Sequence, residues 1–475
     1  MADNSFSRRE LLRSAALAGL LLPSAGALAA CASPAGGGGS TGPKVVPTGP
    51  KTATNPLGIA EDKPFEVVIF DGGYGDAYAR TIHEPLFKSR HPKVEIKHSA
   101  TKEISKTLQP RFAGGNPPEF VNNSGDNSME FGALAQDGQL QDLTELLDAP
   151  SWDDPNVKVR DTILPSAIEL GTYDGKYCVL EYANTVWGIW YSKKLFDDNG
   201  WKVPKTWDEF TALCEKIKKS GKCAPFTYAG KHPFYIYETI LTLAAKIAGV
   251  DVLKNIDNLA DGAWKAEPVI KAATAFAEIG SKYLLQGTEG LDHIQTQTAH
   301  NKYEVAMLPC GSWLENEQKD STPADFGYAM FPLPSFSDSD ALPYGTVHSR
   351  PGEEFFVAAK SANPRAGMEY IRAMLSKEGA SKFSELLSTL TVVKGATEGH
   401  NLKPGLQSAA AALQAAGPNI VYFRFRWWYK PLHDEVAAAT GQLMSGRLKV
   451  DEWADRCQKK ADEIKNDSSV KKFTR

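Results

Sequence analysis

The sequence predicts an α/β fold arranged as two lobes, from three observations. Runs of β-favouring residues alternate with amphipathic or capped helical runs along the chain. The stretch from Asn55 to Arg475 is too long for one ordinary core, so two are expected. Leu406 to Ala416 and Asp434 to Met444 are Ala-rich and helical in pattern, which makes the C-terminal part mainly helical.

The chain begins with Arg8-Arg9 and an apolar stretch from Leu11 to Ala30, interrupted by Arg13 and Pro23. A cationic start, an apolar middle and small residues before a cleavage point mark an export signal, so residues 1–30 are set outside the fold. The interruptions make the stretch a poor permanent membrane span. Ser7-Arg8-Arg9-Glu10-Leu11-Leu12 resembles the twin-arginine signal, read by machinery that exports folded proteins. Leu28-Ala29-Ala30-Cys31 resembles a bacterial lipobox, which implies that Cys31 carries the lipid and becomes the new N-terminus. The mature protein is then expected on the extracytoplasmic face of the membrane. Residues 31–60 read as its tether, because the Gly-, Ser-, Pro- and Thr-rich composition from Ala32 to Lys51 cannot bury a core.

Phe65-Glu66-Val67-Val68-Ile69-Phe70 is the first expected strand, ending in Asp71-Gly72-Gly73-Tyr74-Gly75. An amphipathic helix through Tyr78, Ile82, Pro85, Leu86 and Phe87 follows, and Val94-Glu95-Ile96-Lys97-His98 alternates like a second strand. Gly73-x-Gly75 invites a dinucleotide reading, but Tyr78 occupies the third glycine position and no acidic residue ends the second strand at the required distance. The glycines read instead as backbone that a ligand can approach closely. Thr206-Trp207-Asp208-Glu209 predicts a capping box and Gly221 the stop of that helix. Asn363-Pro364 predicts a further start, with asparagine as cap.

A net charge of −4 argues against nucleic acid as a partner, since such binders carry a basic stripe. No CxxC pair or HExxH helix is present, so neither a metal nor another cofactor is expected. Setting Cys31 aside leaves Cys178, Cys214, Cys223, Cys310 and Cys457, an odd number. Cys214 and Cys223 flank one helical segment and its exit loop and form a candidate disulfide in an exported protein.

The aromatic residues point to function. Trp187, Trp190, Trp313, Trp427 and Trp428 stand among Gly, Asn, Arg or carboxylates, as in Gly311-Ser312-Trp313-Leu314-Glu315 and Arg424-Phe425-Arg426-Trp427-Trp428-Tyr429. A sugar presents an apolar C–H face and a ring of hydroxyls, so its site needs flat aromatic platforms beside fixed carboxylates and amides. Trp201, Trp207, Trp264 and Trp453 read as packing residues. The same carboxylates admit a glycoside hydrolase, with Asp126 and Glu181 as its acid pair, but no paired spacing singles them out.

Several segments resemble the successive motifs of carbohydrate-binding lipoproteins of ABC importers, in that family's order. They include Arg111-Phe112-Ala113-Gly114-Gly115-Asn116-Pro117-Pro118, Tyr173-Asp174-Gly175-Lys176-Tyr177, Trp190-Tyr191-Ser192-Lys193-Lys194-Leu195-Phe196 and Gly311-Ser312-Trp313. Asn123-Ser124-Gly125, Thr227-Tyr228-Ala229-Gly230-Lys231 and Gly290-Leu291-Asp292-His293-Ile294 are similar, more narrowly, to the actinobacterial N-acetylglucosamine and N,N'-diacetylchitobiose binders. The resemblance implies a periplasmic-binding-protein fold of type II with the ligand cleft between its lobes. Residues 61–183 with 330–394 would form the first lobe, and 184–329 with 395–475 the second. It implies no catalysis, a chitin-type sugar as ligand, membrane permease subunits as partners and a monomeric state. It also implies site residues: Asn122, Asn123 or Asp126 in the loop after Pro117-Pro118; Glu181 on the first crossing segment; Tyr228 and Phe234 after the capped helix. Trp313 takes the stacking position, Trp428 lies near a late aromatic contact, and Tyr74 and Arg350 are further candidates. His232 stands where some sugar binders carry an acid.

Overall fold

The computed structural model describes residues 48–125 and 127–475. Arg8-Arg9, Cys31, the glycine-rich stretch and Asp126 lie outside the described residues. Among the described residues twelve strands occur in chain order: β1 (Phe65–Phe70), β2 (Ile96–Thr101), β3 (Phe120–Asn122), β4 (Thr172–Tyr173), β5 (Lys176–Tyr177), β6 (Val179–Ser192), β7 (Ala224–Phe226), β8 (Val305–Gly311), β9 (Tyr328–Phe331), β10 (Val347–Val357), β11 (Leu390–Thr391) and β12 (Ile420–Val421). All but the β4–β5 hairpin join one sheet, of order β2-β1-β3-β10-β6-β8-β7, with β9 and β11 pairing β6 and β12 pairing β10.

The outer pairs β1–β2, β1–β3 and β7–β8 are parallel, as helices connecting successive strands require. The two long central strands, β6 and β10, run antiparallel to each other and hold the halves together. At 14 residues, β6 extends roughly 45 Å. Its first part pairs with β10 and β11, and its second part with β8 and β9. A crossing strand of this kind pairs with strands of both halves, and its residues are buried or half-buried.

Among the described residues burial gathers into three apolar clusters, the largest of which spans both halves. One apolar cluster collects Phe65, Phe87, Phe120, Tyr182, Phe355, Tyr370 and Phe383 around β1. A larger one runs from Phe112 and Phe356 through Ile236, Trp264, Phe276 and Trp453. A third gathers Trp190, Leu308, Phe326 and Tyr328 beneath the second part of β6. Trp201, Trp207, Trp264 and Trp453 are all buried, as packing residues should be.

Local expectations meet the structure closely at chain punctuation. The Thr206 hydroxyl accepts from the Glu209 amide and the Glu209 side chain reaches back, completing the capping box of the helix Trp207–Ser220. Gly221 ends it at φ 65°, a left-handed position that suits glycine. The helix after Tyr78 begins as a π-helical turn, Ala79–His83, before Glu84–Arg90 continues it as α. The second strand starts at Ile96 rather than Val94.

Three expectations are corrected. The helix Pro364–Met374 does begin at its proline, but Asn363 makes no side-chain cap. Its carboxamide nitrogen donates to the Ala60 carbonyl, while its backbone N–H donates to Glu119. The tether, expected to run through residue 60, ends earlier. Leu57 and Ile59 are buried in the β1 cluster, and the Asn55 carboxamide bonds the Ile59 backbone in both directions. The candidate disulfide does not form, since Cys214 and Cys223 are both free thiols. Cys214 points into the core from mid-helix, and the axis advances about 9 Å from there to the helix end. A disulfide needs its Cα atoms within about 7 Å.

Candidate functional site

Strand pleating places Glu181 and Trp187 on one face of β6, because their spacing is even. Across the ladder, Glu354 stands opposite Glu181, Arg350 opposite Thr185 and His348 opposite Trp187. Arg350 Nη2 donates to Glu181 Oε1 at 3.0 Å and Nη1 to Glu354 Oε1 at 3.4 Å. The guanidinium also lies 3.3 Å over the ring of Trp427. Burial pushes the Glu181 carboxyl up to about 8; Arg350 opposes the rise and Glu354 adds to it. Glu181 Oε2 and Arg350 Nε are buried without a hydrogen-bond partner.

Beyond this ion pair the face becomes aromatic. Trp187 meets Trp313 edge-on, with centroids 4.9 Å apart at 89°, and touches Tyr235 at 5.4 Å and Phe234 at 6.3 Å. Phe234 and Tyr235 open the helix Phe234–Ala248, which also carries Glu238. Arg426 donates to Glu238 at 2.6 Å, lies 4.0 Å over Phe234 and stands 5.3 Å from Trp427. Trp313, Trp187, Phe234, Arg426, Trp427, Arg350 and Glu181 therefore form one continuous row. Trp187, Phe234, Trp313 and Trp427 are only half-buried. Gly311 makes room for the Trp313 ring, since a Cβ there would fall 2.2 Å from it.

One end of the row meets the loop after β1. A Cβ on Gly73 would lie 3.2 Å from Glu317 Oε1, so the glycine loop passes directly over that carboxylate. Glu317 accepts from Gln297 at 2.6 Å and stands 3.9 Å from His293, and burial raises its pKa. The ring of His293 stands 5.3 Å from that of His232. Tyr74 shares a hydrogen bond with Thr389 at 3.1 Å and packs edge-on against Phe383. Glu353 sits at φ 53°, a strained conformation for a side-chain-bearing residue, and burial next to Glu354 pushes its carboxyl up to about 7.

The model of the bacterial extracellular solute-binding protein family matches residues 72–381. The chain belongs to that family. This is a family of solute-binding proteins rather than of enzymes, and the two-lobed fold with its crossing strands is the family's own. Diacetylchitobiose binding protein NgcE of Streptomyces coelicolor is 34% identical over 98% of this chain and 98% of its own length. A multiple sugar-binding protein of Streptococcus mutans is 23% identical over 66% of this chain and 72% of its own. Among solved structures, a chitin oligosaccharide binding protein superposes with a TM-score of 0.69 at 18% identity, covering 85% of this chain and 99% of that one. Apo RafE of Streptococcus pneumoniae gives 0.68 at 18% identity, covering 86% and 99%.

Within this solute-binding fold the expected site residues divide. Glu181, Phe234, Trp313 and Arg350 come together on the row described above, and Tyr74 lies on the loop that adjoins its end. Asn123 does not join them, because its carboxamide is used on both sides by Met129, which closes its own loop. Tyr228 is buried in the large apolar cluster, where burial pushes its phenol up to about 12. Trp428 is spent on packing, stacked on Phe473 at 5.3 Å and under Arg424 at 4.5 Å. Its neighbour Trp427 takes the place beside Arg350 instead. Sequence reasoning also passed over Tyr235, Glu317, Glu353, Glu354 and Arg426. Only Glu354 carried a usable signal: its pairing with Glu181 follows once the two crossing strands are set antiparallel.

Proposed function

We propose that this protein is the extracytoplasmic binding component of a carbohydrate importer and takes N-acetylglucosamine or N,N'-diacetylchitobiose. The observation that carries this reading is the row of half-buried rings ending in the Arg350–Glu181 pair. Successive half-buried rings suit the apolar faces of consecutive sugar units, and the polar and charged groups suit their hydroxyls. The likeness to NgcE over nearly the whole chain supports a chitin-type sugar. Residues 61–183 with 330–394 and 184–329 with 395–475 act as the two lobes. A sugar touching both shifts the population toward the closed form in proportion to its preference for it, and membrane permease subunits receive that form. No bond is broken in the process. Cys31 carries the lipid that keeps a monomeric protein near the permease after twin-arginine export.

The test is a thermal-shift screen across N-acetylglucosamine, diacetylchitobiose, cellobiose and maltose. A sugar present at a hundred times its Kd stabilises the folded state by about 2.7 kcal/mol. Stabilisation by the chitin sugars, with diacetylchitobiose recovered intact after incubation, is expected. Stabilisation by maltose alone would overturn the ligand class, and release of the monosaccharide would overturn binding without chemistry.

A further inference from the structure

Beside Trp187 of the aromatic row, a small cavity of about 20 Å³ is lined by Trp187, Glu238, Thr346 and His348 together with Ile189 and Leu333. Four buried polar atoms of its lining have no hydrogen-bond partner: Glu238 Oε2, Thr346 Oγ1, and Nδ1 and Nε2 of His348. The other two threonines of the wall are satisfied, since Thr239 donates to the Tyr235 carbonyl and Thr242 to that of Glu238. Unpaired polar atoms are rare inside proteins, and four around one cavity mark a site where something else completes them.

The size of the cavity decides what that is. A site needs about 10 to 15 Å³ to hold one water, so this one admits a water and excludes a sugar substituent such as an acetamido group. Its chemistry agrees. Burial, with Arg350 and Arg426 nearby, holds His348 neutral, so the imidazole offers one donor and one acceptor. Glu238 Oε2 stands 3.9 Å from His348 Nδ1, too far for a direct hydrogen bond and close enough to share one water. A cation is disfavoured, because Arg426 already donates to the other Glu238 oxygen at 2.6 Å.

We propose that this cavity is a buried water site in which one ordered water joins Glu238, His348 and Thr346 and thereby fixes Trp187. The His348 ring lies parallel to Trp187, at 5.9 Å and 11°, and tilts against Phe423 at 5.2 Å. Glu238 reaches Phe234 and Trp427 through Arg426. The water thus connects to the rings that face the ligand, and His348 and Thr346 act as positioning residues for sugar binding. This role in binding rests on the function proposed above; the water site itself does not.

The experiment is a high-resolution crystal structure of the mature wild-type protein, compared with Thr346→Val and Thr346→Ser. The wild type and the serine variant are expected to show a density peak within hydrogen-bond distance of Glu238 Oε2 and His348, and the valine variant to lack it. Diacetylchitobiose binding, measured by calorimetry, should weaken roughly three- to tenfold in Thr346→Val and return to the wild-type value in Thr346→Ser, the range expected for one net hydrogen bond. Should the valine variant not fold, Thr346→Ala carries the same comparison. No peak in the wild type would overturn the water site, and unchanged affinity in the valine variant would overturn the positioning role. A wild type that shows the peak yet binds none of the chitin sugars would instead refute the proposed ligand.

Discussion

Replacing Arg350 by alanine should cost about 3 to 4 kcal/mol of folding stability at pH 7. The guanidinium bridges Glu181 and Glu354 at 3.0 and 3.4 Å, and its side chain is 8% exposed. Removing one partner of a buried ion pair costs about 3 to 5 kcal/mol, because the other charge is left uncompensated. Here that part falls to about 2 kcal/mol, since burial holds Glu181 at about 8 even with Arg350 in place, so its carboxyl is already largely neutral at pH 7. Loss of the stacked contact 3.3 Å over Trp427 adds about 1 to 2 kcal/mol. Arg350→Lys should lose about half as much, because a single ammonium keeps the charge but cannot span two carboxylates and lie flat on a ring. Urea unfolding followed by tryptophan fluorescence measures the change, and Glu181→Gln completes a double-mutant cycle with a coupling of at least about 1 kcal/mol. An alanine variant within about 0.5 kcal/mol of wild type, or strictly additive single variants, would refute the buried pair.

Trp313→Ala should weaken sugar binding by about 1 to 3 kcal/mol by calorimetry, and an unchanged affinity would reduce Trp313 to packing. The adjacent tryptophans should separate: Trp427→Ala weakens binding, whereas Trp428→Ala costs about 3 to 5 kcal/mol in urea unfolding and leaves affinity near wild type. Melting temperature should be highest between about pH 4.5 and 6.5. The carboxyls of Glu181, Glu238, Glu353 and Asp257, raised by burial to about 8, 7, 7 and 6, contribute stability that is lost as pH climbs through those values. Buried His83, His300, His348 and His433, lowered to about 3, 3, 3 and 2, contribute stability that is lost as pH falls from 6.5. A melting temperature still rising from pH 6.5 to 8 would contradict this balance. Finally, unfolding without reductant followed by alkylation should label Cys178, Cys214, Cys223, Cys310 and Cys457, and an unlabelled Cys214–Cys223 pair would restore the disulfide.

The legible parts of this chain were those governed by short-range chemistry. The Thr206 capping box, the Gly221 stop and the strand Phe65–Phe70 depend on residues a few positions apart, and all three stand as read. Of the packing tryptophans, Trp207 and Trp453 were legible from helices whose apolar face is written in their periodicity, whereas Trp201 lies in a loop and Trp264 in a three-residue turn. Asn363 shows where such reasoning ends. Its capping chemistry is sound locally, yet Glu119 and Ala60, distant in sequence, take its backbone N–H and amide nitrogen and leave the oxygen that would cap buried without a partner.

By itself, the sequence determined the α/β class and the family, and it named four residues that the fold brings onto one row: Glu181, Phe234, Trp313 and Arg350. Tertiary structure alone decided which neighbour of each pair joins that row. Trp427 and Trp428 are equivalent by composition. A single helical turn directs them about 100° apart, and only the positions of Arg350 and Phe473 settle which ring joins the row. The same holds for Asn123, whose carboxamide is captured by Met129, and for Glu353, whose strained backbone no spacing foretells. Local patterns specify what a residue can do, and contacts across hundreds of positions decide which of those capacities remains unspent.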